Sequence, residues 1–313
     1  MRLIKKEQSL SRPLEILTQI PEELIWRGNF NSKRSVETYD DAIVQFMTFL
    51  GIETVDELRA VSHAHVIAFK NQLVQDGKKP STVNNRLSAI SSLFNHLIDK
   101  QIVKINPANG VRRMKAEYGL VKSKCLSIHE ARRLLDIPDR STLKGKRDYA
   151  ILSVFFYSGC RISELCHLNV EDFFEEKGYA VLEFQLKGGK RNRIAISKEL
   201  ELAINDYLDV MGHRDEKSSP LFLPLKHTRS TKKTRHLSRT NVFFLWKKNC
   251  QKAGIEGASP HSARTTFISE ALENNCPIES VQSTVGHSQI KTTQMYDKRG
   301  KKYKDSASFS VRY

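Results

Sequence analysis

The sequence predicts a two-domain chain, mainly α, with one small β-sheet or hairpin in its second half. Three observations carry that expectation. The chain has 313 residues, 39% of them hydrophobic, too many for one small core and about right for two domains of roughly 100–200 residues. From about Asp40 to Asn106 the pattern is helical, with apolar side chains recurring at intervals of three and four, the period of a helix with one buried face. The segment from Tyr179 to Ile196 reads instead as two strands around a Gly188-Gly189 turn.

Val36, Tyr39, Ile43, Phe46 and Leu50 form the first apolar face, and Gly51 ends that helix. Gly77 stops a following one, and Pro80-Ser81 opens a long helix with Val83, Leu87, Ile90, Phe94 and Leu97 on one side. Asn106-Pro107 and Asn109-Gly110 end the last of these, so residues 1–110 are expected to be an all-helical domain. The basic stretch 111–124 reads as a linker, residues 125–298 as a mixed α+β domain, and 299–313 as a tail. In the second domain Ser127-Ile-His-Glu130 is a capping box that opens a helix through Leu135. Arg147 to Tyr157 is almost continuously apolar and reads as a buried helix. After the hairpin, helices are expected at about 198–211, 239–253, 262–274 and 277–285. In the tail, Ala307, Phe309, Val311 and Tyr313 alternate with polar residues, a strand signal.

Lys and Arg number 51 against 35 Asp and Glu, a formal charge of +16. Up to residue 115 there are 17 basic and 12 acidic residues, and beyond it 34 and 23, so both domains are cationic. The excess points to a polyanion, nucleic acid or an acidic membrane surface. No run approaches the 18 or so apolar residues of a spanning helix, and MRLIKKEQSLSRP lacks the apolar core of a secretory signal. Cys125, Cys160, Cys166, Cys250 and Cys276 form no CxxC pair and join no histidine in zinc-like spacing, so reduced thiols and no metal site are expected.

His261-Ser-Ala-Arg264 places an imidazole and a guanidinium three residues apart, on one face of a helix. The spacing alone is weak, because His129 to Arg132 and His236 to Arg239 repeat it in a basic chain. Its company is more telling. Ser158-Gly-Cys-Arg161-Ile-Ser-Glu164 follows the buried helix. An arginine there needs an anionic partner, and Glu164 lies one turn away. In Val285-Gly-His287-Ser-Gln-Ile-Lys-Thr-Thr-Gln-Met-Tyr296, Gly286 can end one helix and Ser288 can start another carrying Thr292, Thr293 and Tyr296. Residues 226–239 hold six Lys and Arg and no acid, among them Lys232, Lys233, Arg235 and Arg239, a composition suited to phosphate contacts. Asn84, Asn85 and Arg86 open the long N-terminal helix with polar tips that could meet a groove.

Taken in order, SGCRISEL, LKGGKRNR, SPHSARTTF and VGHSQIKTTQMY resemble the tyrosine recombinases, or phage-integrase family, over nearly the whole chain. The resemblance implies an N-terminal core-binding domain that clamps DNA and a C-terminal catalytic domain that closes on it. It implies a site of Arg161, Lys187, His261, Arg264, His287 and Tyr296, with Glu164 positioning Arg161. Tyr296 would be the nucleophile, forming a 3′-phosphotyrosyl bond. The two arginines would hold the phosphate oxygens, and the two histidines would donate hydrogen bonds or move the tyrosine proton. Lys187 would protonate the leaving oxygen, with Lys190 in the same turn as its competitor, and Lys190 and Arg193 are also candidate DNA contacts. No cofactor, metal or ATP is implied. The implied partners are double-stranded DNA with an inverted-repeat site and a homotetramer acting through a Holliday junction, with an accessory protein left open. The implied place is the cytoplasm, on the nucleoid. The tail strand would dock in trans on a neighbouring protomer. The short N-terminus argues against a further arm-binding domain. Two rivals are a type IB topoisomerase-like enzyme and a non-catalytic DNA-binding regulator.

Overall fold

The computed structural model describes residues 21–30, 32–115, 123–186, 188–225 and 235–297. These fall into two compact units divided between Tyr118 and Gly119. In the first unit, α1 (Glu22–Ile25) runs into a 3₁₀ turn at Trp26–Asn29. The Ser32 hydroxyl accepts from the Ser35 N–H and starts α2 (Lys33–Leu50). Gly51, at φ +68°, closes it in the left-handed conformation that a side chain would resist. Thr54 and Glu57 cap α3 (Val55–Arg59) reciprocally, α4 spans His63–Gln75, and Pro80 occupies the first position of α5 (Pro80–Asp99). The expected apolar faces meet: Phe46, Phe69, Leu87, Ile90, Phe94 and Leu97 are fully buried, with Phe46 edge-on to Phe69.

The first residues after this bundle stay attached to it. Val111 is buried, and the Asn84 amide donates to the Met114 carbonyl and accepts from the Met114 N–H, each at 2.9 Å.

In the second unit, α6 (Ile128–Leu135) has the expected Ser127–Glu130 box, and α7 (Leu143–Ser158) is buried almost all round from Ala150 to Phe156. A helix apolar on every side belongs in the middle, and α7 packs on α9 (Lys198–Met211) and α11 (Pro260–Glu273). Short α8 (Ile162–Cys166) follows it, and Trp246 of α10 (Arg239–Lys252) closes the core against Phe155 and Phe156. Two further helices, α12 (Ile278–Val285) and α13 (Ile290–Gln294), complete the described unit. α12 packs with α11, and Tyr296 just beyond α13 joins them, in a separate apolar cluster of Ile268, Leu272, Val281, Val285 and Tyr296.

The sheet is antiparallel and three-stranded, in the order β1 (Phe173–Glu176), β2 (Tyr179–Gln185), β3 (Arg191–Ala195). β2 and β3 are the expected hairpin, with Val181 opposite Ala195 and Gln185 opposite Arg191. β1 was not expected. Phe-Phe-Glu-Glu has no period-two alternation; it is joined to β2 by Lys177-Gly178, both at positive φ, a two-residue hairpin turn.

Candidate active site

The first arm of the site starts where α7 stops. Gly159 takes φ +62°, and a Cβ there would fall 2.6 Å from Phe267 Cδ1, so only glycine allows this turn to sit on α11. The turn delivers Arg161 to the N-terminus of α8. Glu164 is buried there; its carboxylate accepts the Arg161 backbone N–H at 2.7 Å and the guanidinium at 2.6 Å. The Arg161 side chain keeps 40% of its surface exposed. It is held from behind and open in front. Burial pushes the adjoining Cys160 thiol up to about 12, which makes it inert as a nucleophile.

The second arm is the first two turns of α11. His261 is exposed and Arg264, one turn on, is 1% exposed. Arg264 donates to the Gly159 carbonyl at 2.8 Å and the Val285 carbonyl at 2.7 Å, which ties the ends of α7 and α12 together. Its Nε has no hydrogen-bond partner among the described residues. That Nε is itself shielded; the donors left for an anion are the second N–H groups of the two terminal nitrogens. Burial and the nearby Arg161 lower its pKa to about 10, which leaves it charged at neutral pH.

Gly286, at φ +63°, ends α12, and a Cβ there would meet Leu186 Cδ1 at 2.8 Å. His287 follows, buried, with Nδ1 3.0 Å from Thr293 Oγ1 and its ring stacked on Tyr296, centroids 6.0 Å apart. Burial, then Arg264, Arg161 and His261, drives its pKa down to about 4, so the imidazole is neutral at pH 7. His261 is exposed as a residue, but partial desolvation of its ring, followed by Arg264 and Arg161, lowers its pKa as well.

Tyr296 is 6% exposed, and its hydroxyl lies 3.3 Å from His261 Nε2. Burial raises the phenol and the two arginines partly oppose that. The residue differs from expectation in one respect: α13 runs only from Ile290 to Gln294, so Tyr296 stands in the turn beyond it. Its N–H bonds the Thr293 carbonyl at 3.0 Å, and its carbonyl accepts from Ser269. Anchoring the ring in the apolar cluster draws the chain out of helical register.

The structure therefore brings together Arg161, Glu164, His261, Arg264, His287 and Tyr296. Lys187, Lys232, Lys233 and the tail strand lie outside the described residues. The described residues on either side of Lys187 are tied to α12. Leu186 packs on Gly286, and the Asn192 amide donates to the carbonyls of Ser283 and Thr284 at 3.2 and 3.0 Å, tying β3 to the end of α12. Lys190 is exposed at the foot of the turn, and its carbonyl accepts from Leu186 N–H. Arg193 is paired with buried Glu183 and lies over Phe174. Arg235 and Arg239 are exposed. Of the N-terminal trio, Asn84 is engaged with Met114 and Arg86 donates to the Thr38 carbonyl, while Asn85 is exposed. Sequence reasoning assigned no task to Asn192, Glu183 or Thr293. For Asn192 no sequence signal exists; Thr293 could have been suspected as a polar residue on a helix that must also bury Tyr296.

Residues 124–302 match the model of the phage integrase family, and residues 17–104 match that of the phage integrase N-terminal SAM-like domain. A tyrosine recombinase XerC of Pelobacter propionicus is 30% identical over 268 residues, covering 85% of this chain and 84% of that protein. One from Thermodesulfovibrio yellowstonii is 28% identical over 273 residues, covering 85% and 86%. Among solved structures, XerH site-specific recombinase bound to a palindromic difH substrate, a post-cleavage complex, shares the fold. Its TM-score is 0.67 at 18% identity, covering 88% of this chain and 79% of that one. With more than half its length matched by the family's catalytic model, and its helical N-terminal unit by the accompanying one, the chain belongs to the phage integrase family of tyrosine recombinases.

Proposed function

We propose that this recombinase cuts and rejoins duplex DNA through a bond between Tyr296 and a 3′-phosphate, exchanging strands between two copies of a site. The observation that carries this reading is the approach of Tyr296 Oη to His261 Nε2, 3.3 Å, beside two arginines braced by Glu164 and by two backbone carbonyls. A phenol is a poor nucleophile at pH 7. His261, neutral because its pKa lies below the ordinary value, takes the proton from Oη as that oxygen bonds to phosphorus. Charge growing on the non-bridging oxygens falls to Arg161 and Arg264, pre-oriented and partly dehydrated. The P–O5′ bond breaks, and Lys187 supplies the proton to the leaving oxygen. Religation reverses these transfers, with a 5′-hydroxyl of the partner duplex as attacker.

Four copies acting on two duplexes through a Holliday junction is the assembly proposed, on an inverted-repeat site whose symmetry mirrors that of paired protomers. A neighbour solved as a lambda integrase tetramer bound to a Holliday junction supports that arrangement. The location proposed with this reading is the cytoplasm, on the nucleoid, where such a DNA substrate would lie.

The test is a supercoiled plasmid carrying two copies of the target. Deletion or inversion between the copies is expected, and it should vanish in Tyr296→Phe. Relaxation without exchange would favour the topoisomerase-like rival, and binding without cleavage would favour the regulator.

A further inference from the structure

We infer that Thr293 is a positioning residue that fixes His287 in the tautomer with its proton on Nε2, making it a hydrogen-bond donor to the scissile phosphate rather than a proton acceptor. The inference rests on the reading of the site above and adds to it the direction of one hydrogen bond.

His287 has little freedom. Its N–H bonds the Gln282 carbonyl and its carbonyl accepts from Gln282 Nε2, both at 3.0 Å, so the backbone is pinned on both sides. The ring lies against the Tyr296 ring at an interplanar angle of 23°. What remains is the proton. A neutral imidazole carries one N–H, and the nitrogen that bears it is set by the bond the other nitrogen makes.

The Thr293 side chain decides the matter because it is fully buried, at 0% exposure. Its hydroxyl has one hydrogen-bond partner among the described residues, His287 Nδ1 at 3.0 Å. If Nδ1 carried the proton and donated to Oγ1, the threonine O–H would be buried with no acceptor, which is costly. If the hydroxyl donates to Nδ1, both groups are satisfied and Nε2–H is left to donate. That orientation would complement a phosphate held by Arg161 and Arg264. It also separates the two histidines: His261, against the phenol oxygen, receives the proton, and His287 gives a hydrogen bond to the growing charge.

Two measurements test this. Nitrogen-15 spectra of the His287 ring at neutral pH should show Nε2 protonated and Nδ1 an acceptor; the opposite tautomer overturns the inference. Single-turnover cleavage of a nicked substrate should slow about tenfold in Thr293→Val, the loss of one hydrogen bond, and recover in Thr293→Ser. In a His287→Ala background, Thr293→Val should add nothing, because its effect passes through that ring. Additive losses with a slowed His287→Ala enzyme would overturn the role of Thr293 and leave the site reading intact. A His287→Ala enzyme that cleaves at the wild-type rate would instead remove His287 from the site, and this inference with it.

Discussion

A guanidinium at 1% exposure has to be held by something, and Arg264 is held by the carbonyls that end two helices. The consequence is specific to arginine. A lysine has no planar fork with which to reach Gly159, Val285 and a phosphate together, so Arg264→Lys should lower cleavage about 10²-fold or more, read in single-turnover assays with DNA affinity measured alongside. The histidines give the site a pH signature. His261 must be neutral to accept a proton and its pKa lies below the ordinary 6.5. At subsaturating DNA the rate should therefore rise with pH through an acid limb centred below 6.5 and be level by neutrality, and His261→Ala should lose that limb. Stability moves the same way. His287 titrates near 4 when folded and near 6.5 when unfolded, so between those values the unfolded chain binds more protons. Stability should fall as pH drops from 6.5 to 4, by up to about 3 kcal/mol from this group, and His287→Ala should flatten the slope in denaturant titrations.

At the scale of elements, the site is three chain ends stapled to one another: the end of α7, the start of α11 and the end of α12. Gly159 is the tightest of these junctions. Gly159→Ala would set a methyl group into Phe267 and strain a left-handed turn, so a loss of about 2–4 kcal/mol is expected on thermal or urea unfolding. The hairpin is joined to the same place by Asn192 and Leu186. Asn192→Ala should speed amide exchange at Leu186 and Gly189 and lower the cleavage rate several-fold, about what loss of one or two hydrogen bonds implies. How legible these elements were depended on whether local chemistry or distant packing set them. The helices expected at 198–211, 239–253, 262–274 and 277–285 lie within about two residues of α9, α10, α11 and α12, whereas the Ser32-capped start of α2 and the whole of short α3 were not read. β1 could not be read either, because two phenylalanines followed by two glutamates carry no alternation and its pairing is fixed by the Lys177-Gly178 turn. The early end of α13 was equally hidden, since the contacts that pull Tyr296 out of the helix come from α11 and α12. The chemistry-bearing residues stood out by type and order, while Asn192, which braces the hairpin, carried no sequence signal and Thr293 carried only a weak one.

For the molecule as a whole the formal charge of +16 is the dominant long-range property, and both units carry an excess of base. Few of those charges are engaged in the chemistry. Several others are paired with carboxylates, as Arg59, Arg147 and Arg193 are. Exposed members of the remainder are expected to act on the phosphate backbone without regard to sequence, so the logarithm of the binding constant should fall linearly with that of salt concentration, and steeply. Arg235 and Arg239, both exposed, belong to this population if they touch phosphates. Neutralising either should then lower the slope by about 1 and weaken binding to unrelated DNA as much as to the target.

The central claim is that Tyr296 is the residue that joins DNA. A nicked duplex that loses its short 5′-hydroxyl fragment after cleavage would trap the joined state, and peptide mass spectrometry would locate the bond. A single adduct is expected, on the 3′-phosphate side of the break and on the peptide containing Tyr296, absent from Tyr296→Phe. An adduct at Tyr303 or Tyr313, attachment through a 5′-phosphate, or no adduct from protein that binds the site, would contradict it.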